Sequence, residues 1–301
     1  MGERAVAHLL LADRVRPSPP SGLSGMRVET GEFDVADRTA TDKLAAWQPD
    51  LVFHLAAIVS GQAEAEFGLG YKVNVTATWS LLESLREARC APRVVFTSSL
   101  AVYGPPFPDP VPDEFHLAPR SSYGAQKAIG ELLLSDYTRK GYVEGVGVRL
   151  PTIVVRPGAP NAAASGFLSS IIREPLAGHE ALLPVPPETA AWIASPRIAV
   201  ETLLHAAALQ TEAYGESRCL SGRGLPVTVA EMIDALRDVA GSEVAARVQQ
   251  GSDPGVARIV GSWPRSFEAA QATRLGFPVD GGIHAIIEAH LRDTTNERRD
   301  V

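Results

Sequence analysis

The sequence predicts an α/β protein with a doubly wound parallel sheet and a smaller C-terminal lobe. Short apolar runs that are typical of strands alternate with longer helical segments through the first half of the chain, as in β-α-β units. Prolines become frequent after Pro151, which indicates a change from regular layers to loops. The length of 301 residues allows a large α/β unit with an attached lobe.

The individual elements follow from apolar periodicity and from turn signals. Buried strands are expected where short apolar runs lie between loops, at residues 9–12, 26–30, 51–55, 93–97 and 145–150. Helices are expected at residues 42–47, 71–88, 121–139, 196–209 and 228–239. Thr228 and Glu231 have the spacing of a capping box, which predicts that the last of these helices begins there.

Composition excludes several classes of protein. The 28 Lys+Arg and 35 Asp+Glu residues give a net charge of −7 without a basic stripe, which argues against a nucleic-acid partner. No apolar run approaches the roughly 18 residues that a membrane span needs. The two cysteines, Cys90 and Cys219, favour a reducing, cytoplasmic setting. The seven histidines have no metal-site spacing, so no metal is expected.

Tyr123 and Lys127 are the first candidates for chemistry. They are four residues apart in a predicted helix and therefore share one face. A phenol titrates near ~10, and a neighbouring ammonium favours its ionised form, which could then act as a base. Taken alone, this spacing is common by chance and is more often that of a solvated helix face.

Two predicted strands end in residues suited to binding a ligand. The strand at 93–97 is followed by Ser98 and Ser99, which places hydroxyl groups at the carboxyl edge of the sheet, where open α/β folds bind ligands. The strand at 51–55 is followed by Ala56 and Ala57. Small residues let a ligand approach the backbone, although they also permit close helix packing.

In combination, these motifs resemble the extended short-chain dehydrogenase/reductase family, in its sugar epimerase/dehydratase-like branch. The motifs are His54-Leu55-Ala56-Ala57, Asn74, Thr97-Ser98-Ser99 with Tyr103-Gly104, and Tyr123-x-x-x-Lys127. Further stretches are similar to a group of four-carbon sugar-acid dehydrogenases within this family, and they lie at 57–61, 123–128, 149–153, 156–158, 172–176 and 194–197. The resemblance implies a Rossmann-type fold.

The resemblance also implies a hydride-transfer site that uses NAD. Tyr123 would be the general base, Lys127 would lower its pKa and hold the nicotinamide ribose, and Ser99 would hydrogen-bond the reacting oxygen. Asp13 matches the acid that binds the adenosine ribose, which favours NAD over NADP. The resemblance places further residues against the cofactor, namely Asp34, Val35, Leu55, Ala56, Ala57, Ser60, Asn74 and Pro151.

On the substrate side, the resemblance points to residues 161–167, to Ser165 among them, and to Arg173, together with Ser99. An arginine can bind a carboxylate with two parallel hydrogen bonds, which suits a sugar acid. A surface arginine on a helix is the plainer interpretation of Arg173.

The glycine-rich phosphate loop is absent from the sequence. Such a loop lies about 20 residues before the ribose acid, so with Asp13 in that role it would precede residue 1. We therefore expect the first β-α unit to be missing and two strands to lack a partner. The further expectation is weak NAD binding and poor folding.

The leading hypothesis is NAD-dependent oxidation of a secondary hydroxyl of a small sugar acid to the 2-oxo acid. A nucleotide-sugar epimerase or dehydratase with the same Ser-Tyr-Lys triad, and a non-catalytic module, are the alternatives. Residues 1–160 would form the NAD-binding domain with 191–212 packed back on it, whereas 161–190 and 213–301 would form the substrate lobe. The resemblance also implies a homodimer.

Overall fold

The computed structural model describes residues 5–20, 22–23, 25–158, 163–216, 218–261 and 263–297, with the side chains of 295–297 excepted. The strands are β1 His8–Asp13, β2 Arg27–Glu32, β3 Leu51–His54, β4 Arg93–Ser99, β5 Glu144–Leu150, β6 Thr152–Ile153, β7 Ala181–Leu183, β8 Ala190–Ala194, β9 Cys219–Ser221, β10 Leu225–Thr228 and β11 Val248–Gln250. The α-helices are α1 Arg38–Ala46, α2 Ser60–Ala65, α3 Phe67–Gly70, α4 Ala77–Glu87, α5 Ser122–Arg139, α6 Gly166–Leu176, α7 Pro196–Ala208, α8 Val229–Ala240, α9 Ser242–Ala245, α10 Pro254–Val260, α11 Ala270–Arg274 and α12 Ile283–Glu297. None of the described helices is long and apolar enough to span a bilayer.

A parallel sheet in the order β3-β4-β5-β9 forms the centre of the fold. Val94 and Phe96 of β4 pack under α4 and α5, while Val95 faces the opposite side and packs against α7. Because helices cover both faces, the strand is apolar at consecutive positions. The predicted α/β class and parallel sheet are confirmed.

Strands β1 and β2 form a separate parallel pair. Within the described residues, β1 hydrogen-bonds to β2 alone and β3 to β4 alone, so the parallel layer is divided, as the sequence predicts. Helix α1 packs on α4 and links the two parts. Thr41 of α1 is fully buried, and Ser84 of α4 donates to its Oγ1 at 3.0 Å.

The predicted elements are present with small shifts at their ends. The capping box of Thr228 and Glu231 is confirmed. Helix α1 begins earlier than expected because the Asp37 side chain accepts from the backbone N–H of Thr39 and caps it there. The helix expected at 71–88 is not uniform, since Tyr71–Thr76 is a π-helical segment and α4 follows it. Asn74 lies in that segment, and its side chain bonds outside the helix.

Helix α5 approaches β4 and the following turn very closely. A Cβ placed on Gly130 would lie 2.6 Å from the ring of Phe96, and a Cβ on Gly124 would lie 2.1 Å from the carbonyl oxygen of Ala101. Neither position has room for a side chain. The two glycines therefore set the distance between the helix and the carboxyl end of the strand.

The lobe has its own sheet and core. Strands β6, β8 and β10 form a mixed sheet in which β10 is antiparallel to β8. Helices α6, α8 and α12 pack around a cluster that contains Leu168, Ile172, Met232 and Ile287.

One boundary differs from the expected division of the chain. Strand β9 was assigned by sequence to the lobe, but it pairs with β5 in the central sheet. Ala272 and Phe277 pack in the same cluster as Val95 of that sheet. A three-residue strand such as Cys219–Ser221 is too short to give a periodic signal, which is why the sequence did not place it.

The close approach of α5 to β4 predicts the effect of one substitution. Gly130→Ala should lower the free energy of unfolding by about 1–3 kcal/mol, because the new methyl group meets a buried ring. Gly68→Ala in α3 is the matched control, since its Cβ would meet nothing within 4 Å, and it should be neutral or slightly stabilising. Urea unfolding of both variants tests this, and equal stabilities would contradict it.

Candidate active site

Tyr123 and Ser99 are brought together where α5 begins and β4 ends. Ser121 caps the helix, with its Oγ accepting from the backbone N–H of Gly124 at 3.1 Å. Ser99 is the last residue of β4, and its side chain lies close enough to the Tyr123 hydroxyl to lower the pKa of that group. The Ser99 Oγ also accepts from the backbone N–H of Ala101 at 3.2 Å. The structure thus joins two of the three expected catalytic residues.

Lys127 completes this group one helical turn further on. Its Nζ donates to the backbone carbonyl of Thr97 at 2.8 Å and lies 4.9 Å from the ring centroid of Phe96 and 5.7 Å from that of Tyr123. The residue is only 2% exposed, and burial lowers its pKa to about 8 against the opposing charge of Glu131. An ammonium has three N–H donors, and Thr97 takes one of them.

The phenol of Tyr123 does not have the lowered pKa that the resemblance implies. Burial raises its pKa to about 12, while the hydrogen bond from Ser99 and the charge of Arg156 act in the opposite direction. Desolvation thus outweighs the combined effect of Ser99 and of the Arg156 charge on the Tyr123 pKa. Tyr123 is protonated at neutral pH in this state.

A buried ion pair lies beneath the site, and sequence reasoning missed it. Arg149 of β5 donates from Nε and Nη2 to Glu131 of α5, at 2.9 and 2.8 Å. The Ser98 hydroxyl donates to the same carboxylate at 2.5 Å, and Arg149 also donates to the Tyr103 hydroxyl at 2.6 Å. Glu131 follows Lys127 by four residues, so the shared helix face was the signal that could have revealed it.

Asn74 holds the loop that follows β3. Its Oδ1 accepts from the Ile58 N–H at 2.7 Å, and its Nδ2 donates to the Ile58 carbonyl at 3.0 Å and to Gln126 at 2.7 Å. Both the oxygen and the nitrogen of the Asn74 side-chain amide therefore bind other parts of the protein. His54, at the end of β3, is buried, and burial together with the Lys127 charge lowers its pKa to about 3, so it is neutral.

The other residues expected at NAD lie at strand ends. Leu55 and Ala56 are exposed after β3, Ala57 is half-buried, and Ser60 begins α2. Pro151 is buried directly after β5. The small Ala56 and Ala57 after β3, and the N–H donors of Lys127 that Thr97 does not take, fit the nicotinamide-ribose half of NAD.

The residues expected at the adenosine lie at the end of β1 and in the loop after β2. Asp13 ends β1, and both Asp13 and Asp34 are exposed, whereas Val35 is half-buried. Each of the two carboxylates accepts one backbone N–H, from Val15 and from Ala36 respectively. Exposed carboxylates with free lone pairs suit ribose hydroxyls.

The expected substrate residues are only partly described. Residues 161 and 162 lie outside the described residues. Ser165 immediately precedes α6 and makes no side-chain capping bond. Arg173 of α6 donates to the Glu174 carboxylate at 2.7 Å and to the carbonyl of Arg156 at 2.9 Å.

Comparison with known proteins gives a consistent result. The model of the NAD dependent epimerase/dehydratase family matches residues 4–190. A D-erythronate dehydrogenase of Cupriavidus necator is 50% identical over 289 residues, which is 96% of this chain and 88% of the relative. A D-erythronate dehydrogenase of Haemophilus influenzae is 41% identical over 283 residues, which is 94% and 89%. The crystal structure of the nucleoside-diphosphate-sugar epimerase of Agrobacterium tumefaciens has a TM-score of 0.93 at 47% identity, covering 98% of this chain and 87% of that one.

Burial of the Lys127 ammonium predicts a pH-dependent stability. Its folded pKa of about 8 lies below the ordinary 10.5, so between these pH values the unfolded chain binds more protons than the folded one, and stability rises with pH. Lys127→Met removes this contribution. The wild type should therefore gain about 3 kcal/mol relative to Lys127→Met between pH 8 and 10.5.

Urea unfolding of both proteins measures that difference at three pH values: about 7.5, which is below the folded pKa, about 9, which lies between the folded and unfolded pKa values, and 10.5, which is the unfolded pKa. Comparison at each pH cancels all groups that the two proteins share. A difference that does not change with pH would contradict the assignment of a buried ammonium to Lys127.

Proposed function

Because the chain belongs to the NAD-dependent epimerase/dehydratase family and is an NAD-dependent dehydrogenase, we propose that it oxidises a secondary hydroxyl of D-erythronate, or of a closely related four-carbon sugar acid, to the 2-oxo acid. The observation that carries this proposal is the grouping of Tyr123, Ser99 and the Lys127 ammonium at the carboxyl end of β4. The two D-erythronate dehydrogenases support the choice of substrate.

In the proposed reaction, the ionised Tyr123 hydroxyl takes the proton of the substrate hydroxyl, and Ser99 hydrogen-bonds the same oxygen. NAD, when bound, would supply the acceptor for the hydride of the carbon that carries this hydroxyl. Tyr123 must lose its own proton first, and the Ser99 hydrogen bond and the positive charge of Arg156 both favour that ionisation. The fixed position of Lys127 adds a further positive charge on the same helix face.

Lys127 would also hold the nicotinamide ribose through its remaining N–H donors. Asp13 would accept the adenosine ribose hydroxyls. The other residues proposed to hold NAD are Asp34, Val35, Leu55, Ala56, Ala57, Ser60 and Pro151, and Asn74 would contribute by holding the loop after β3 through its bonds to Ile58. Ser165 and Arg173 are proposed to lie on the substrate side, in the lobe, and the protein is proposed to act as a homodimer.

Nucleotide-sugar epimerisation is the second candidate. The high structural similarity to the Agrobacterium tumefaciens epimerase favours it. An epimerase returns the hydride to its substrate, so it produces no net NADH, whereas a dehydrogenase produces one NADH for each substrate oxidised. The accumulation of NADH therefore distinguishes the two.

Replacement of the proposed base predicts a large loss of activity. Tyr123→Phe should lower kcat/KM for D-erythronate by about 10²- to 10⁴-fold, because the general base is removed while the ring is retained. NADH absorbance during incubation with NAD and D-erythronate is the measurement. Tyr142→Phe, at a tyrosine that is 38% exposed, is the matched control and should match the wild type.

The product identifies the carbon that is oxidised. A 2-oxo acid keeps all its carbons, whereas a 3-oxo acid loses CO₂ from the carboxylate. Mass spectrometry after trapping with a hydrazine should therefore detect a four-carbon oxo acid. Full activity of Tyr123→Phe, or a three-carbon ketone as the product, would overturn the corresponding part of the proposal.

A further inference from the structure

A sugar acid must have its carboxylate held close to Tyr123, and Arg173 is poorly placed to hold it. The Arg173 guanidinium donates from Nε and Nη2 to the Glu174 carboxylate, at 3.0 and 2.7 Å. Its Nη1 donates to the backbone carbonyl of Arg156. With its charge balanced and its donors engaged, Arg173 supports the neighbouring backbone instead of offering a free cation.

Arg156 follows Arg173 as a candidate, because no carboxylate of the described residues balances its charge. Its side chain is half-buried, and among the described residues no carboxylate pairs with it. Burial and the charge of Arg173 both lower the pKa of Arg156, so the folded protein holds this guanidinium at a cost. A partly buried, unpaired guanidinium is typical of a site that receives an anion.

The backbone that carries Arg156 is fixed on both sides. Its N–H donates to the Oγ of Ser169, a residue that is 1% exposed, at 3.1 Å, and its carbonyl accepts from Arg173 at 2.9 Å. Val154, two residues earlier, is fully buried and donates to the carbonyl of Ala194 at 2.9 Å. The guanidinium therefore extends from a rigid base, which reduces the entropy lost when it binds a ligand.

Arg156 follows β5 and β6 at the sheet edge where Ser99 ends β4, because Leu150 at the end of β5 pairs with Ser99. Its charge also acts on the Tyr123 hydroxyl, whose pKa it lowers. In a 2-hydroxy acid, the carbon that carries the reacting hydroxyl is bonded directly to the carboxylate carbon. A guanidinium near Tyr123 that binds the carboxylate thus brings this hydroxyl, and not those further along the chain, towards Tyr123 and Ser99.

We propose that the Arg156 guanidinium binds the carboxylate of the substrate and thereby selects 2-hydroxy acids for oxidation at C2. The inference rests on the proposed function, because it assumes that the substrate is an acid. Arg173 acts as a positioning residue that holds the backbone of Arg156. Sequence reasoning assigned this role to Arg173 because the ion pair with Glu174 is not evident from the sequence.

The test compares an acid with its uncharged analogue in matched variants. KM and kcat for NADH formation are measured with D-erythronate and with D-erythronamide in the wild type, Arg156→Gln, Arg156→Lys and Arg292→Gln. Arg292 is a control because its side chain is 67% exposed on α12 and outside the site. Unfolding midpoints establish that each variant is folded.

Arg156→Gln should lower kcat/KM for D-erythronate by about 100-fold, mainly through KM, because a charged partner of the carboxylate is lost. Arg156→Lys keeps the positive charge but cannot donate two parallel hydrogen bonds to the carboxylate. Its kcat/KM for D-erythronate should be about a tenth of the wild-type value. The amide has no charge to pair, so its KM should be nearly the same in the wild type and in Arg156→Gln. Its kcat should fall only by the smaller factor that follows from loss of the Arg156 charge near Tyr123. Arg292→Gln should match the wild type with both compounds.

The outcomes separate the two proposals. If the wild type oxidises D-erythronate and Arg156→Gln does so with an unchanged KM, the assignment of Arg156 is wrong and the proposed function stands. If the folded wild type produces no NADH from D-erythronate, the proposed function is wrong, and the assignment of the carboxylate site to Arg156 is wrong with it. Equal losses for acid and amide in Arg156→Gln would also overturn the inference, because they would indicate a general structural effect.

Discussion

The direct packing of helix α5 on strand β4 is the contact on which the active site depends. Two glycines, Gly124 and Gly130, let the helix approach until a Cβ would overlap the Ala101 carbonyl oxygen or the Phe96 ring. At that separation the Lys127 side chain reaches the backbone of Thr97, and the Tyr123 hydroxyl reaches Ser99. The parallel sheet supplies the other condition, because its strands end at one edge. If α5 lay further from β4, the Tyr123 and Lys127 side chains would be too far from Ser99 and Thr97 for concerted proton transfer.

Electrostatic balance decides what this site can do. Burial favours the neutral form of both functional groups, as it lowers the pKa of Lys127 and raises that of Tyr123. The charge of Glu131 opposes the first shift, and Glu131 is itself held by two hydrogen-bonding neighbours, Arg149 and Ser98. A buried ion pair of this kind contributes little net stability, but removal of one partner leaves a costly charge. Its value here is to keep a cation one turn away from the proposed base.

Much of this arrangement could be predicted from the sequence, and the exceptions share a cause. Periodicity and spacing are local signals, so they predicted the parallel strands, the Thr228 cap, and a Tyr-Lys pair on one helix face. Tertiary packing determines the features that the sequence did not predict. These are the Glu131–Arg149 ion pair, the position of β9 in the central sheet, and the ion pair of Arg173 with Glu174. The role proposed for Arg156 could not be predicted for the same reason. It depends on Arg156 having no carboxylate partner among the described residues, which only the tertiary structure shows.

The central claim is that Tyr123 removes a proton while a hydride leaves the same substrate for NAD, without being returned. Oxidation of D-erythronate carrying deuterium at C2 tests it most directly, with mass spectrometry of the nicotinamide product. The account predicts one deuterium in each NADH formed, and a slower rate than with unlabelled substrate when hydride transfer limits turnover. Deuterium that is retained in the carbon product, with no net NADH, would contradict the account and indicate an enzyme that returns the hydride to its substrate.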